Sequence, residues 1–183
     1  MRWGRFVAGA DKLELEADHL YLFDVGGPLE DPFVVGSVVA HLDGLGAGSG
    51  QQVLRPVAME ADTLDTLAVG DEVVIGEGQA AGWVHMVFDM PPRLRSGVEI
   101  RMGVIAGSAS GLARLSVVLS NPDVSASYVS PYLEAPDASG TATDEDALAS
   151  ILVVGVTPWA PPVDLAEEHL ADLPVDAGQG ALA

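Results

Sequence analysis

Metal centres, activated nucleophiles and phosphate cradles each need certain residue types at certain spacings, and this chain holds fragments of all three. Its four histidines, His19, His41, His85 and His169, fall in four separate segments with no HxH or HxxxH spacing. A zinc-type site would therefore have to be assembled across strands, with His41 and His85 as the pair placed to meet. Cysteine is absent, which removes thiolate ligands and disulfides. The run Asp144-Glu145-Asp146 is a candidate for weak calcium binding, although it lacks the alternating acidic loop that holds calcium in a helix-loop-helix site. Neither Gly48-Ser49-Gly50 nor Gly107-Ser108-Ala109-Ser110-Gly111 has the Gly-x-Ser-x-Gly register of a nucleophile elbow. No Lys-Ser/Thr pair or helix start follows either glycine run, so neither aims a helix dipole at a phosphate. With 27 acidic residues a glycosidase pair is arithmetically available, but no two are singled out by spacing. The expectation is no catalytic residue, no resident metal and no cofactor.

Sugar binding asks for other chemistry: aromatic faces to stack on the sugar ring and polar loop residues for its hydroxyls. Tyr128 and Tyr132 are the best-placed aromatics for it. They lie in a Ser-, Pro- and Asp-rich stretch from Ser120 to Glu145 that reads as a long loop, with Asn121 and Asp123 nearby. This loop is the candidate glycan or partner contact. Trp83 and Phe88 sit on a strand-like run and are expected in the core. At the other end Trp3 and Phe6 alternate with Arg2 and Arg5, the pattern of a short arm that docks on a partner or of a first edge strand.

The elements that must position these residues are strands. Val34 to Ala58 contains two runs of period-two alternation on either side of Asp43 to Gly50, four of whose residues are glycine, which predicts a β-hairpin. Leu13 and Leu15 alternate with charged residues, and His19 to Phe23 forms a second strand. Glu72–Ile75, Trp83–Asp89, Val98–Ile105, Leu112–Leu119 and Leu148–Val156 add more, each bounded by Gly, Pro or Asn. Apolar side chains on both faces of Trp83–Asp89 suggest that both faces are covered. Some ten short strands with no clear helix between them predict an all-β fold, an antiparallel jelly-roll-like β-sandwich with short terminal extensions. The division is an arm over 1–10, the sandwich over 11–159 and an acidic extension over 160–183. In that extension Leu165, Ala166, Leu170 and Leu173 recur at helical spacing.

The charge excludes several partners. Twenty-seven acidic and 8 basic residues leave a net charge of −19, which repels a phosphate backbone and disfavours nucleic acid and anionic membrane surfaces. A hydrophobic content of 49% is too high for a wholly disordered chain. No apolar run approaches the ~18 residues of a membrane-spanning helix, so no membrane insertion is expected. The N-terminus lacks the apolar core of a secretory leader, and manufacture in a reducing cytoplasm is expected.

Two stretches, HLDGLGAGSGQQVLRPVAME (His41–Glu60) and IGEGQAAGWVHMVFDMPPRLRSGVEIRMGVIAGSASGLARL (Ile75–Leu115), carry a resemblance. They are similar to a β-sandwich module of minor tail and tail-associated virion structural proteins in tailed phages infecting actinobacteria. The similarity runs from about Gly36 to Leu115, with a weaker echo over Asp137–Val156. It implies a non-enzymatic bacteriophage virion structural protein, a minor tail or tail-tip subunit that contacts other virion proteins on the tail or capsid surface. A homo-oligomer follows from such symmetry, a trimer by analogy. The family pattern places a Tyr-Trp pair where this chain has Glu99-Ile100-Arg101-Met102-Gly103, and an Ala-Arg-Tyr-Tyr run where it has Ala113-Arg114-Leu115-Ser116. Loss of those aromatics argues for burial against protein over sugar stacking. A host-attachment domain that binds cell-wall glycan, and a capsid decoration protein, are the alternatives.

Overall fold

The computed structural model describes residues 2–4, 7–25, 32–45, 50–76, 79–119, 125–145 and 147–156. Fifteen strands and no helix form among them: β1 (Arg2–Gly4), β2 (Asp11–Glu14), β3 (His19–Asp24), β4 (Phe33–Leu45), β5 (Gln51–Glu60), β6 (Thr66–Val69), β7 (Val73–Gly76), β8 (Gly82–Val87), β9 (Arg93–Leu94), β10 (Ile100–Ala109), β11 (Ala113–Leu119), β12 (Ser125–Val129), β13 (Thr143–Asp144), β14 (Ala147–Ala149) and β15 (Ile151–Val156). They build two antiparallel sheets. The first runs β1-β15-β4-β11-β14, with β2 on β11 and with β8 and β9 on β4. The second runs β13-β12-β3-β10-β5-β6, with β7 on β5. One core lies between them, from Phe33, Val35, Val38, Leu42, Met86 and Leu115 on one side to Phe23, Leu54, Ala58, Met102 and Val104 on the other. The protein is an all-β sandwich.

The hairpin expected over Val34–Ala58 does not form. The two strands exist, but β4 pairs with β15, β8, β9 and β11, whereas β5 pairs with β10, β6 and β7 in the opposite sheet. A glycine-rich connection allows a crossing between layers as readily as a tight reversal. Crossing places the apolar stripe of β4 face to face with that of β5 in one core. Residues 46–49 of this connection lie outside the described residues.

The even alternation expected along β4 also slips. Val154 faces Ser37 and Gly155 faces Val35, so Gly36 is an extra residue in the ladder, a β-bulge. Phe33 and Val35 point inward before it, and Val38, Ala40 and Leu42 after it. Gly155 is required opposite the bulge, because a Cβ there would sit 1.9 Å from the Val34 carbonyl oxygen.

Two further expectations are corrected. The stretch from Ser120 to Glu145 is not one long loop: Ser125–Val129 forms β12, paired along β3 from Phe23 to His19. Ser-Ala-Ser lacks the β-branched residues that announce a strand, and pairing with a buried neighbour overrides that weak propensity. The chain then returns across the outer face of the second sheet, where Tyr128, Tyr132 and Ala138 close a second cluster over Leu20, Leu22, Val57, Met59 and Ile105. This cover explains why β3 is apolar on both faces. In β8, by contrast, only one face is covered. Met86 is fully buried, while His85 is exposed and Val87 is 40% exposed.

The first sheet forks. β4 and β11 pair directly at Leu42–Leu115 and Leu45–Ala113, then part company. β14 pairs with the β11 limb and β15 with the β4 limb. The chain thus runs toward the junction along one limb and away from it along the other, with Ser150 at the apex. Ser150 makes four hydrogen bonds. Its N–H donates to the Ser116 carbonyl (2.9 Å) and its carbonyl accepts from His41 N–H (3.0 Å). Its Oγ accepts from Gly9 N–H (2.9 Å) and donates to the Val7 carbonyl (2.9 Å). Gly9 passes so close to β11 that a Cβ would lie 1.9 Å from the Val117 carbonyl oxygen.

Ser150→Ala leaves the buried Gly9 N–H without a partner and should cost about 1–3 kcal/mol, read from urea unfolding midpoints. Gly9→Ala should cost at least as much, since backbone must move to admit the methyl group. A neutral result for both would show that the N-terminal segment does not depend on this apex.

Candidate functional site

Tyr132, a candidate contact residue, is held from all sides. It follows β12 on the segment that covers the second sheet, and only 6% of it is exposed. Its N–H donates to Asp18 Oδ1 (2.9 Å) and its hydroxyl donates to Glu72 Oε2 (2.9 Å). The Arg55 guanidinium lies 4.4 Å from the ring centroid and also donates to the Tyr132 carbonyl. A cation on the ring face contributes stabilisation of its own and occupies the surface on which a sugar would stack. Burial, then the hydrogen bond and negative charge of Glu72, push the Tyr132 hydroxyl up to about 12, against the opposing pull of Arg55. Beside this ring a 380 Å³ hollow opens between Asp18, Val53, Glu72, Tyr132 and Leu133. Leu133 is 94% exposed.

Tyr128 is likewise only 5% exposed. It edges a separate 220 Å³ hollow with Arg101, Ser125, Ala126, Ala142 and Asp144. The two tyrosines expected to contact a glycan or partner are therefore both packed, and each borders a different hollow. The reason is local. β12 turns its apolar side chains onto β3, and the following turn brings Tyr132 back over Val53 and Arg55. Asn121 and Asp123 lie outside the described residues, as do Arg5 and Phe6. Arg2 and Trp3 fall in β1, which pairs with β15 at Arg2–Val154 and Trp3–Val153. That part of the arm is thus an edge strand of the first sheet.

The other polar concentration lies on the first sheet. Lys12 Nζ donates to Ser116 Oγ (3.0 Å), and His41 Nδ1 lies 2.8 Å from the same oxygen. Asp43 stands 3.9 Å from Lys12 Nζ and 3.5 Å from Arg114 Nη2, and its carbonyl accepts from Arg114 at 3.2 Å. Trp83 closes the group, its indole T-shaped against the His41 ring with centroids 5.2 Å apart. A serine hydroxyl between a histidine and a lysine has the composition of an activated nucleophile. Ser116, however, is fully buried, and its Oγ is already contacted on two sides, so a carbonyl carbon has no approach to it. The arrangement fastens β2, β4 and β11 together.

His85 takes a different serine, its Nε2 lying 2.5 Å from Ser37 Oγ. The two histidines placed to meet thus each face their own hydroxyl. No group of three ligand-type side chains forms among the described residues. In the acidic run, Glu145 accepts from the Ser127 hydroxyl, and Asp146 lies outside the described residues. Sequence reasoning missed both polar knots. Their members are spread from Lys12 to Ser116 and from Asp18 to Tyr132, and only the sheet pairing brings them together. The one advance signal was Arg55, a charge on an otherwise apolar strand face.

No family model, curated protein or solved structure matches the chain.

Burial also pushes the Tyr21 hydroxyl up to about 12. Folding therefore holds the protons of Tyr21 and Tyr132 more tightly than the unfolded chain does. Their contribution to stability is complete below pH ~10 and is lost as pH rises through about 12. In an ultraviolet titration of phenolate formation, Tyr132→Phe should remove a late-ionising group. Loss of an ordinary early-ionising group instead would contradict the packed geometry.

Proposed function

We propose that this chain is a non-enzymatic structural subunit of a bacteriophage virion, a minor tail or tail-tip protein that works by protein–protein contact. What carries the reading is the way its surface is divided. The two candidate rings, Tyr128 and Tyr132, are buried, and Tyr132 has a guanidinium on its face. Among the described residues, the large hydrophobic side chains left exposed are aliphatic or thioether, led by Leu133 at 94%, Met90 at 85% and Val129 at 71%. Such groups add contact area against a protein partner, whereas sugar rings call for aromatic faces. Val129 ends β12, and Leu133 lies on the segment that follows it over the second sheet. The motif resemblance over Gly36–Leu115 supplies the phage context, and the dominance of acidic residues keeps free subunits apart until a complementary surface is met.

Mass spectrometry of purified virions from the phage that encodes this chain should find it at a fixed ratio to the major tail protein. A ratio tied to the capsid lattice would move it to head decoration, and absence from virions would overturn the reading. Leu133→Asp should lower incorporation while leaving the unfolding midpoint within about 0.5 kcal/mol, as expected for an exposed side chain. Firm retention of the free protein on host cell wall, competed away by soluble cell-wall polysaccharide, would favour the glycan-binding alternative.

A further inference from the structure

We propose that the acidic C-terminal segment, residues 160–183, docks on a basic groove of its own molecule formed by Leu67, Arg93, Arg95 and Val98. The groove has a volume of 240 Å³ and lies where β6 of the second sheet meets β9 of the first. Leu94 and Glu60 complete its lining. Its floor is apolar, with Leu67 40% exposed. Its rim holds two exposed arginines two positions apart, in a chain with only 8 basic residues. Lys12 and Arg114 are paired with Asp43, and Arg55 is held at Tyr132. Arg93 and Arg95 make no ion pair among the described residues. Glu60 also lines the groove but makes no ion pair with either arginine; its carboxylate accepts from the Thr63 hydroxyl at 3.0 Å.

The occupant is fixed by charge and by where the described chain ends. Residues 157–183 contain Asp164, Glu167, Glu168, Asp172 and Asp176 and no lysine or arginine. Leu165, Ala166, Leu170 and Leu173 give the same stretch an apolar stripe at helical spacing. So short a helix needs a surface to lie on. Val156, the last described residue, pairs with Val34, and Val34 pairs with Arg93 on its other side. The segment therefore leaves the sheet two strand spacings, about 10 Å, from the arginines. The seven residues 157–163 reach about 23 Å when extended, enough to set Asp164 and Leu165 over the groove. Tethering at that range gives a local concentration of order millimolar, which favours the chain's own segment over that of a second copy.

The absence of cysteine allows a direct test in the full-length chain. Leu67→Cys combined with Leu170→Cys, under mild oxidation, should form a disulfide within one chain. It should form at least about tenfold faster than the exposed control pair Leu133→Cys and Leu170→Cys, because docking raises the local concentration at one site only. Adding Arg93→Glu and Arg95→Glu, or high salt, should bring the two rates together. Both arginines are exposed, so an unchanged thermal midpoint will show that the fold is kept. Equal rates in the two pairs would overturn the proposal, as would a cross-link found only between chains, which would place the segment on a neighbouring copy.

Discussion

The arrangement of the first sheet depends on how the buried hydroxyl and peptide group of Ser150 are satisfied. A fork in a sheet exposes unpaired backbone on both limbs, and in a dry interior each unpaired group costs free energy comparable to a lost hydrogen bond. Here the chain itself fills the fork, reversing at Ser150 so that one limb receives β14 and the other β15. The reversal would leave the apex open if Ser150 did not bond to β4, β11 and the N-terminal segment together. That segment in turn can lie close enough only because residue 9 has no side chain. Beginning, middle and end of the described chain meet at this one point.

The same logic recurs between the sheets. Gln52 is fully buried in the core, where its side-chain amide donates to the Leu15 carbonyl at 2.7 Å and its Oε1 accepts from Ala113 N–H at 2.6 Å. A half-satisfied amide there would be worse than a methyl group. With both its nitrogen and its oxygen bonded, it ties β5 of one sheet to the chain beside β2 and β11 of the other. Ser116 and Tyr132 play corresponding parts on the outer faces. The side chains that resemble functional groups by type are mostly spent on holding strands, and the described large hydrophobic side chains left exposed are aliphatic or thioether. This division underlies the reading of the chain as a part to be assembled.

The strand periodicity and the all-β class were legible in the sequence, because alternation reports one buried face whatever the pairing. Pairing was not legible. Nothing in β4 or β5 says whether Asp43 to Gly50 turns within a sheet or crosses between two, since both solutions bury the same stripes. The inversion at Gly36 was hidden for a related reason: glycine is neutral to which face it occupies. The packing of Tyr128 and Tyr132 was hidden because Ser125-Ala126-Ser127 looks like loop composition, and β3, apolar on both faces, asks for a cover without saying which segment supplies it. The polar knots require contacts across 104 residues, from Lys12 to Ser116, and no local pattern encodes that.

If these knots are fastenings, they should open only when the whole domain opens. Ligand-gating segments, by contrast, are drawn from the low-stability end of a structure. Native-state hydrogen exchange resolves the two cases. The amides of Gly9, His41, Ser150 and Tyr132 are expected to exchange together at the free energy of global unfolding. Early, separate exchange of Tyr132 and its neighbours would contradict the account and identify the cover of the second sheet as a movable flap over a binding site.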